Sequence, residues 1–464
     1  MVARNSASSR SVHSRRFFLG SSLAGAAMLT GCGIFKDDPK PLLPGRRYDV
    51  LSTGAGLVVD EEDHTPIALP APQPVTAWPQ AGRVPTHVAV NTPWTGATLA
   101  WSHSIGHGIS EPAFLHFLAL GPNGRGAIQS APVIDGGRIY TRDGIGTVRA
   151  WNWPAMTLLW SFVPKTKKMR SSDLGGGIGL EGDTLYIVDG VGQVVAVSAE
   201  TGKVRWRAET TVPGRSAPTI VNGRVFFGTI DEKLFALDAQ TGKQIWTYQA
   251  TEADTVMFGQ AAPAVYNGVV VAGFGSGDLV ALRAESGELV WSDSLGGSNG
   301  RGAMLDLACV RGAPVVVDGT AYAISLSKVL VAIDMRSGRR LWEREASGQN
   351  TPLIVGDWLY VISADQQLAC VDRLSGHVRW LHDLRRFKNE TKQKNAVTWF
   401  GPVLADGRLV CVSSLEETGL QVVDAVTGKA DAPLKTKKPT LVEPIICDGK
   451  VLVLSTDGVL NAYG

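Results

Sequence analysis

Two glycine patterns, a histidine pair and a few cysteines are the places where this chain could do chemistry. "GIGLEG" at 177–182 fits G-x-G-x-x-G, which seats a pyrophosphate when it follows a strand and opens a helix. "GGSNG" at 296–300 fits the G-x-S-x-G nucleophile elbow, which needs a strand-to-helix turn. His103 and His107 stand four apart, a spacing that aims two imidazoles at one metal on a helix. All three patterns need a helix, and the surrounding sequence offers strands and loops. The first lies in a hairpin, the second opens a loop after a Trp-ended strand, and the histidines read as surface side chains. Cys309, Cys370, Cys411 and Cys447 could pair in an oxidising compartment. Three of them, however, fall inside strands of three different repeats, where they read as small buried apolar residues.

What surrounds these residues is a repeat. "ALDAQTGKQIWTYQ" at 236–249 recurs as "AVSAETGKVRWRA" at 196–208, "ALRAESGELVWSD" at 281–293 and "AIDMRSGRRLWER" at 332–344. An alternating apolar run, a Thr-Gly or Ser-Gly turn and a second run ending in Trp make a hairpin, with glycine supplying the positive φ of the turn. A second hairpin precedes each copy, as in "SAPTIVNGRVFFGT" at 216–229 and "GAPVVVDGTAYAIS" at 312–325. One repeat is therefore four antiparallel strands.

Trp160, Trp206, Trp246, Trp291, Trp342 and Trp380 are 38 to 51 residues apart, the period of propeller blades. First strands starting near 130, 175, 216, 261, 312, 350, 400 and 442 give eight blades. The last copy reaches Gly464 with three strands, while "ATLAWSHSIG" at 97–106 reads as an orphan fourth strand with Trp101 in the Trp slot. Pairing the two closes the ring and removes an open edge. The expectation is an all-β, eight-bladed propeller over 97–464, its blades docked on one another through the seven tryptophans. With 53 Gly in 464 residues the composition suits many turns.

The first 31 residues carry four arginines, no acid and the apolar run "FFLGSSLAGAAMLTG". This is the build of an export signal. "SRRFFLG" resembles a twin-arginine signal and "LTGC" a lipobox that leaves Cys32 as the lipid-modified N-terminus. Cleavage removes four of 45 basic residues and none of 43 acids, so the net +2 becomes slightly negative. Charge then gives no motive for a nucleic-acid partner. No other apolar run is long enough for a bilayer, so the lipid is the expected anchor. Residues 32–96, rich in Pro and Gly with "DEEDH" at 60–64, read as a tether.

The A-x-D-x-x-T-G-x-x-x-W repeat resembles that of pyrroloquinoline-quinone (PQQ) dehydrogenases. That resemblance implies a vicinal disulfide, a Trp floor and a calcium-holding set of carboxylates and amides. This chain has no Cys-Cys pair, and its first-strand segments carry no acid cluster, so a quinoprotein is the alternative reading. Over about 75–464 the chain is similar to the BamB family, alphaproteobacterial type, through "LAWSHSIG", "GGGIGLEGDTLYIVDGVGQVVAVSAETGKVRW", "LRAESGELVWSDSL", "RGAPVVVDGTAYAIS" and "AIDMRSGRRLWERE". This resemblance implies a non-catalytic lipoprotein on the periplasmic face of the outer membrane, without cofactor or metal. It would bind BamA periplasmic (POTRA) domains and other subunits of the barrel-assembly (BAM) complex. The implied contact loops are 251–260 and 296–311, with Met257, Phe258, Asp306 and Arg311 as contact residues. The family's arginine in the first loop is unmatched here, and its acidic positions in the second fall near Cys309 and Arg311.

Loop lengths point to the same face independently. Segments 163–174, 249–260, 294–311 and 384–398 join one blade to the next and leave from one rim, whereas the turns of the opposite face are minimal. Long irregular loops gathered on one rim make a recognition surface. The basic stretches "KTKKMR" at 165–170 and "RRFKNETKQK" at 385–394 read as solvated faces.

Overall fold

The computed structural model describes residues 56–108, 128, 130–164, 175–253, 261–296 and 308–464. Blade 3 shows the unit: Thr219–Val221, Arg224–Gly228, Lys233–Asp238 and Gln244–Gln249 form one antiparallel sheet in chain order. Its second and third strands are buried on both faces, because a neighbouring blade covers each side. Only the outermost strand alternates between exposed and buried residues. The half-buried pleat expected from alternation therefore applies to the perimeter. Inside the ring, strands read as continuous apolar runs.

The recurring Thr-Gly turn has a specific build. Asp238 Oδ1 accepts from both the backbone N–H and the hydroxyl of Thr241 at 2.7 Å, and Gly242 follows at φ 71°. Asp334 with Ser337, and Asp424 with Thr427, repeat it. Above each such glycine lies the Trp of the preceding blade. A Cβ at Gly202 would sit 2.8 Å from the Trp160 ring, and those at Gly287 and Gly376 would each meet the preceding Trp at 2.7 Å. Each indole N–H donates to a carbonyl beside that turn, Trp160 to Ala199, Trp246 to Ala284 and Trp291 to Met335 among them, at 2.8–3.0 Å. Trp206, Trp342 and Trp380 bond Ala239, Arg373 and Ala425 in the same way. The Trp and the Gly are two halves of one joint between blades.

Closure follows the expected route. Leu99–Ser104 pairs with Val459–Tyr463 as the fourth strand of blade 8. Blade 1 lacks the Thr-Gly turn, so Trp101 meets Trp153 edge-on, with ring centroids 5.9 Å apart. Blade 7 departs from the four-strand rule: Trp399–Ala405, Arg408–Ser413 and Leu420–Asp424 form its sheet, and only isolated bridges at Ala430 and Leu434 stand for the fourth strand. Pro433 has no N–H to give a ladder, and no Trp follows it.

The tether reading of 32–96 is corrected over its described part, because residues 56–96 are packed on the propeller. Asp60 exchanges bonds with Val378 on the outer strand of blade 6, and Asp63 bridges Arg379 at 2.9 Å. Segment 75–92 then passes once around the axis and bonds every blade in turn. Val75 O accepts from Asp448, Trp78 pairs with Ile134, Pro79 O accepts from Leu180 and Gln80 Oε1 from Ile220. Pro85 O, Thr86 O and Thr92 O accept from Val265, Val316 and Asp406, while Ala89 N–H donates to Ile354. Along the chain the order is blade 8, 1, 2, 3, 4, 5, 6 and 7, without a gap. A Pro-rich run suits this role: it lies across strand ends as an acceptor and needs few N–H groups of its own.

Candidate functional site

The residues singled out for chemistry resolve into packing. Gly177–Glu181 is an innermost strand of blade 2, where a Cβ on Gly177 would meet Ala217 of blade 3 at 2.7 Å. Its glycines let two inner strands approach. Gly296 is described, and 297–300 lie outside the described residues. His103 packs edge-on against Trp151 at 4.9 Å. Among the described residues no group of three or more His, Cys, Asp or Glu could hold a metal. Cys309, Cys370, Cys411 and Cys447 are buried free thiols, and burial pushes the Cys370 thiol up to about 12.

The expected rim patch is divided by what is described. Cys32, Met257, Phe258, Asp306 and the basic stretch 165–170 lie outside the described residues. Arg311 is moved from the rim to the axis: its guanidinium bonds Gln349 Oε1 at 2.5 Å and lines a cavity at the centre of the ring. On the rim itself, Phe387–Asn389 and Lys394–Ala396 form a small basic hairpin between blades 6 and 7. Lys388 and Lys438 reach Glu417 and Glu416 of one turn at 3.2 and 3.8 Å, which joins two neighbouring basic loops.

The cavity has a volume of about 420 Å³. Segment 75–92 lies across the hairpin-turn end of the inner strands, and the inter-blade loops lead into the opposite end. Six blades place Ala131, Ala217, Ala262, Ala313, Thr351 and Gly401 just before the proline that opens the inner strand, and blade 8 places Glu443 there. Small residues at this point leave the axis open. Glu443 accepts from Thr351 N–H at 3.1 Å, and burial raises its carboxyl above the usual range. Arg215 and Arg311 line the cavity from one equivalent slot in blades 3 and 5, and Arg83 from the encircling segment. Burial lowers all three guanidinium pKa values. His87 Nδ1 lies 2.8 Å from Pro314 O, and its buried Nε2 has no hydrogen-bond partner.

A propeller docked by repeated Trp and Gly, closed by an N-terminal strand, is compatible with several families, and the family profile decides among them. The profile described as outer membrane protein assembly factor BamB matches residues 145–382, just over half of the chain. This chain belongs to the BamB family. BamB of Salmonella typhimurium is 27% identical over 429 residues, covering 91% of this chain and 98% of the relative. BamB of Yersinia pestis is 25% identical over 258 residues, covering 54% of this chain and 62% of the relative, so the match spans less than two thirds of that protein. The crystal structure of BamB from Moraxella catarrhalis superposes with a TM-score of 0.66 at 21% identity, over 79% of this chain and 99% of that one, and shows the shared fold. Quinohemoprotein alcohol dehydrogenase ADH IIB of Pseudomonas putida is 34% identical over 148 residues, only 28% of this chain and 21% of the enzyme.

BamB-type sequence reasoning found the blades and missed the axis. The signal was present: "GRSAP" at 214–218 and "VRGAP" at 310–314 put arginine in the same slot ahead of the inner strand. The encircling segment left no periodic signal, because it is held by strand ends instead of by a ladder of its own.

Proposed function

We propose that this protein is a scaffold lipoprotein of the outer-membrane β-barrel assembly complex. It is held at the periplasmic side of the outer membrane by a lipid on Cys32, binds BamA periplasmic domains and works without catalysis. The observation that carries this reading is the match to BamB of Salmonella typhimurium over 91% of this chain and 98% of that relative. Its lipobox and the long loops of one rim support the anchor and the docking face. Crosslinking in intact cells, followed by capture of the full chain from membranes, is expected to recover BamA and other complex subunits. Recovery of none of them would sink the scaffold reading.

The quinoprotein reading is favoured by the identity of 34% to a quinohemoprotein alcohol dehydrogenase over one short stretch. That match covers only 21% of the enzyme, and the sequence has no Cys-Cys pair to form a vicinal disulfide. Incubation with PQQ and calcium is expected to give no alcohol or sugar oxidation with an artificial acceptor.

A further inference from the structure

The rim of blades 6 and 7 carries charge that its own ion pairs do not use. Phe387–Asn389 and Lys394–Ala396 form a hairpin there, exposed at every residue from Lys388 to Ala396. Lys435, Lys437 and Lys438 are exposed on the loop that leaves blade 7. The turn Glu416–Thr418 joins the two, since Lys388 reaches Glu417 at 3.2 Å and Lys438 reaches Glu416 at 3.8 Å. Two more pairs, Arg386 with Asp383 at 3.5 Å and Arg385 with Glu390 at 3.9 Å, use the acids of the hairpin and its root. Lys392, Lys394, Lys435 and Lys437 are left over, in no ion pair among the described residues. Even with Asp365 and Asp457 of the flanking turns counted, the sector stays net positive. The opposite end of blade 6 has no such surplus. Arg373 pairs there with Asp318 and Asp357, while Glu61 and Glu62 stand exposed between Asp60, which bonds Val378, and Asp63, which bonds Arg379.

The lipid-bearing end of the chain arrives at the same side of the ring. Gly56, the first described residue after Cys32, shares a small hollow with Arg344, Glu345 and Val378 on the perimeter of blades 5 and 6. A chain of about 24 residues spans at most about 85 Å, so a lipid on Cys32 keeps this perimeter near a bilayer without fixing which way the ring faces. Clustered lysines beside an anchor supply a second contact, because anionic headgroups attract them within a Debye length. Resting on the lipid at Cys32 argued above, we propose that the basic rim of blades 6 and 7 is a membrane-facing surface. It binds the anionic phospholipid headgroups of the bilayer that holds the lipid, through Lys392, Lys394, Lys435 and Lys437. The loops proposed for BamA join blades 3, 4 and 5, another sector of the same rim, so both contacts can be made at once.

Fluorescence quenching on the lipid-modified chain in vesicles tests this. A fluorophore is attached at Thr391→Cys on the hairpin or at Leu374→Cys on the opposite end of blade 6, and a lipid with a nitroxide headgroup serves as quencher. Cys309, Cys370, Cys411 and Cys447 are buried and do not compete for the label. In vesicles of equal parts phosphatidylglycerol and phosphatidylcholine, the hairpin label is expected to be quenched at least about threefold more than in phosphatidylcholine alone. Raising salt from about 0.1 M to about 1 M should remove the difference, since the screening length shrinks from about 10 Å to about 3 Å. The label at position 374 should not respond to the headgroup. Lys392→Gln, Lys394→Gln, Lys435→Gln and Lys437→Gln together should bring the hairpin label to its phosphatidylcholine value, with a melting curve like wild type because all four side chains are exposed. Flotation with phosphatidylcholine vesicles reads the anchor by itself. A chain that does not float lacks the lipid, and the same labels with phosphatidylglycerol vesicles then still report on the rim. Equal quenching in the two kinds of vesicle overturns the proposal and leaves the lysines to an acidic protein. A wild-type response from the four-lysine variant, or headgroup-dependent quenching at position 374 instead of 391, overturns it as well.

Discussion

At the scale of single residues, the Trp–Gly joint separates two demands that the sequence merges. Gly223 and Gly242 have nearly the same φ, 72° and 71°, but a Cβ at Gly223 meets nothing within 4 Å, whereas at Gly242 it runs into the Trp206 ring. Gly223→Ala should therefore cost about 1 kcal/mol, the left-handed backbone penalty alone. Gly242→Ala should cost clearly more, by urea denaturation, and equal losses would mean the ring adapts freely. His87 gives a second test. Burial lowers its pKa from 6.5 to about 4, so the folded state keeps it neutral while the unfolded chain takes up a proton first as pH falls. Its contribution is complete above about pH 6.5 and is lost between there and pH 4, amounting to about 3 kcal/mol. His87→Gln cannot charge, so it should flatten the fall in stability across this window relative to wild type. An unchanged slope would place the effect in other groups. The glycine turns were legible as turns because Thr-Gly and Asn-Gly carry their own backbone chemistry. That only one of them sits under a tryptophan was not, because the partner ring comes from the preceding blade.

At the scale of elements, legibility followed the source of the order. Blades were readable because each hairpin has local turn chemistry and each strand a repeated apolar run. The fourth strand of blade 8 was readable from 97–106 because Trp101 keeps the slot of the other six. Blade 7 broke the pattern where Pro433 and Pro439 interrupt its outer run, and the count of four strands could not register that. Segment 56–96 was misread for a physical reason: Pro and Gly in quantity describe a chain without secondary structure, and a strap bonded to other strands has none. Two deletions should now behave alike. Removing 97–106 exposes the unpaired edge of Val459–Tyr463, and removing 75–92 strips a hydrogen-bond partner from the inner strand of blades 1 to 6 and from the turn that follows it in blades 7 and 8. Both should lower the melting temperature and promote oligomers seen by size-exclusion chromatography. A protein lacking 75–92 that melts like wild type would show that the strap only lies on a ring already complete.

At the scale of the whole molecule, the two faces of the ring differ in kind. One end of the inner strands is crossed by the strap and edged with two-residue turns, which leaves little to vary. The other carries the inter-blade loops, the basic hairpin at 387–396 and the way into the axial cavity. Docking of BamA periplasmic domains should therefore use the second face. Met257 and Phe258 in the loop 251–260, with Asp306 in the next, form the proposed contact, an apolar centre beside charge of the kind that carries most binding energy. Replacing Met257 and Phe258 together by aspartate should abolish co-purification of BamA while the melting curve stays within about 0.5 kcal/mol of wild type, since loop side chains outside blade cores contribute little to stability. Lys203→Asp and Lys243→Asp put the same charge on Thr-Gly turns of the opposite face and should leave BamA recovery intact. Loss of BamA from the turn variants with retention in the loop variant would reverse the assignment of faces.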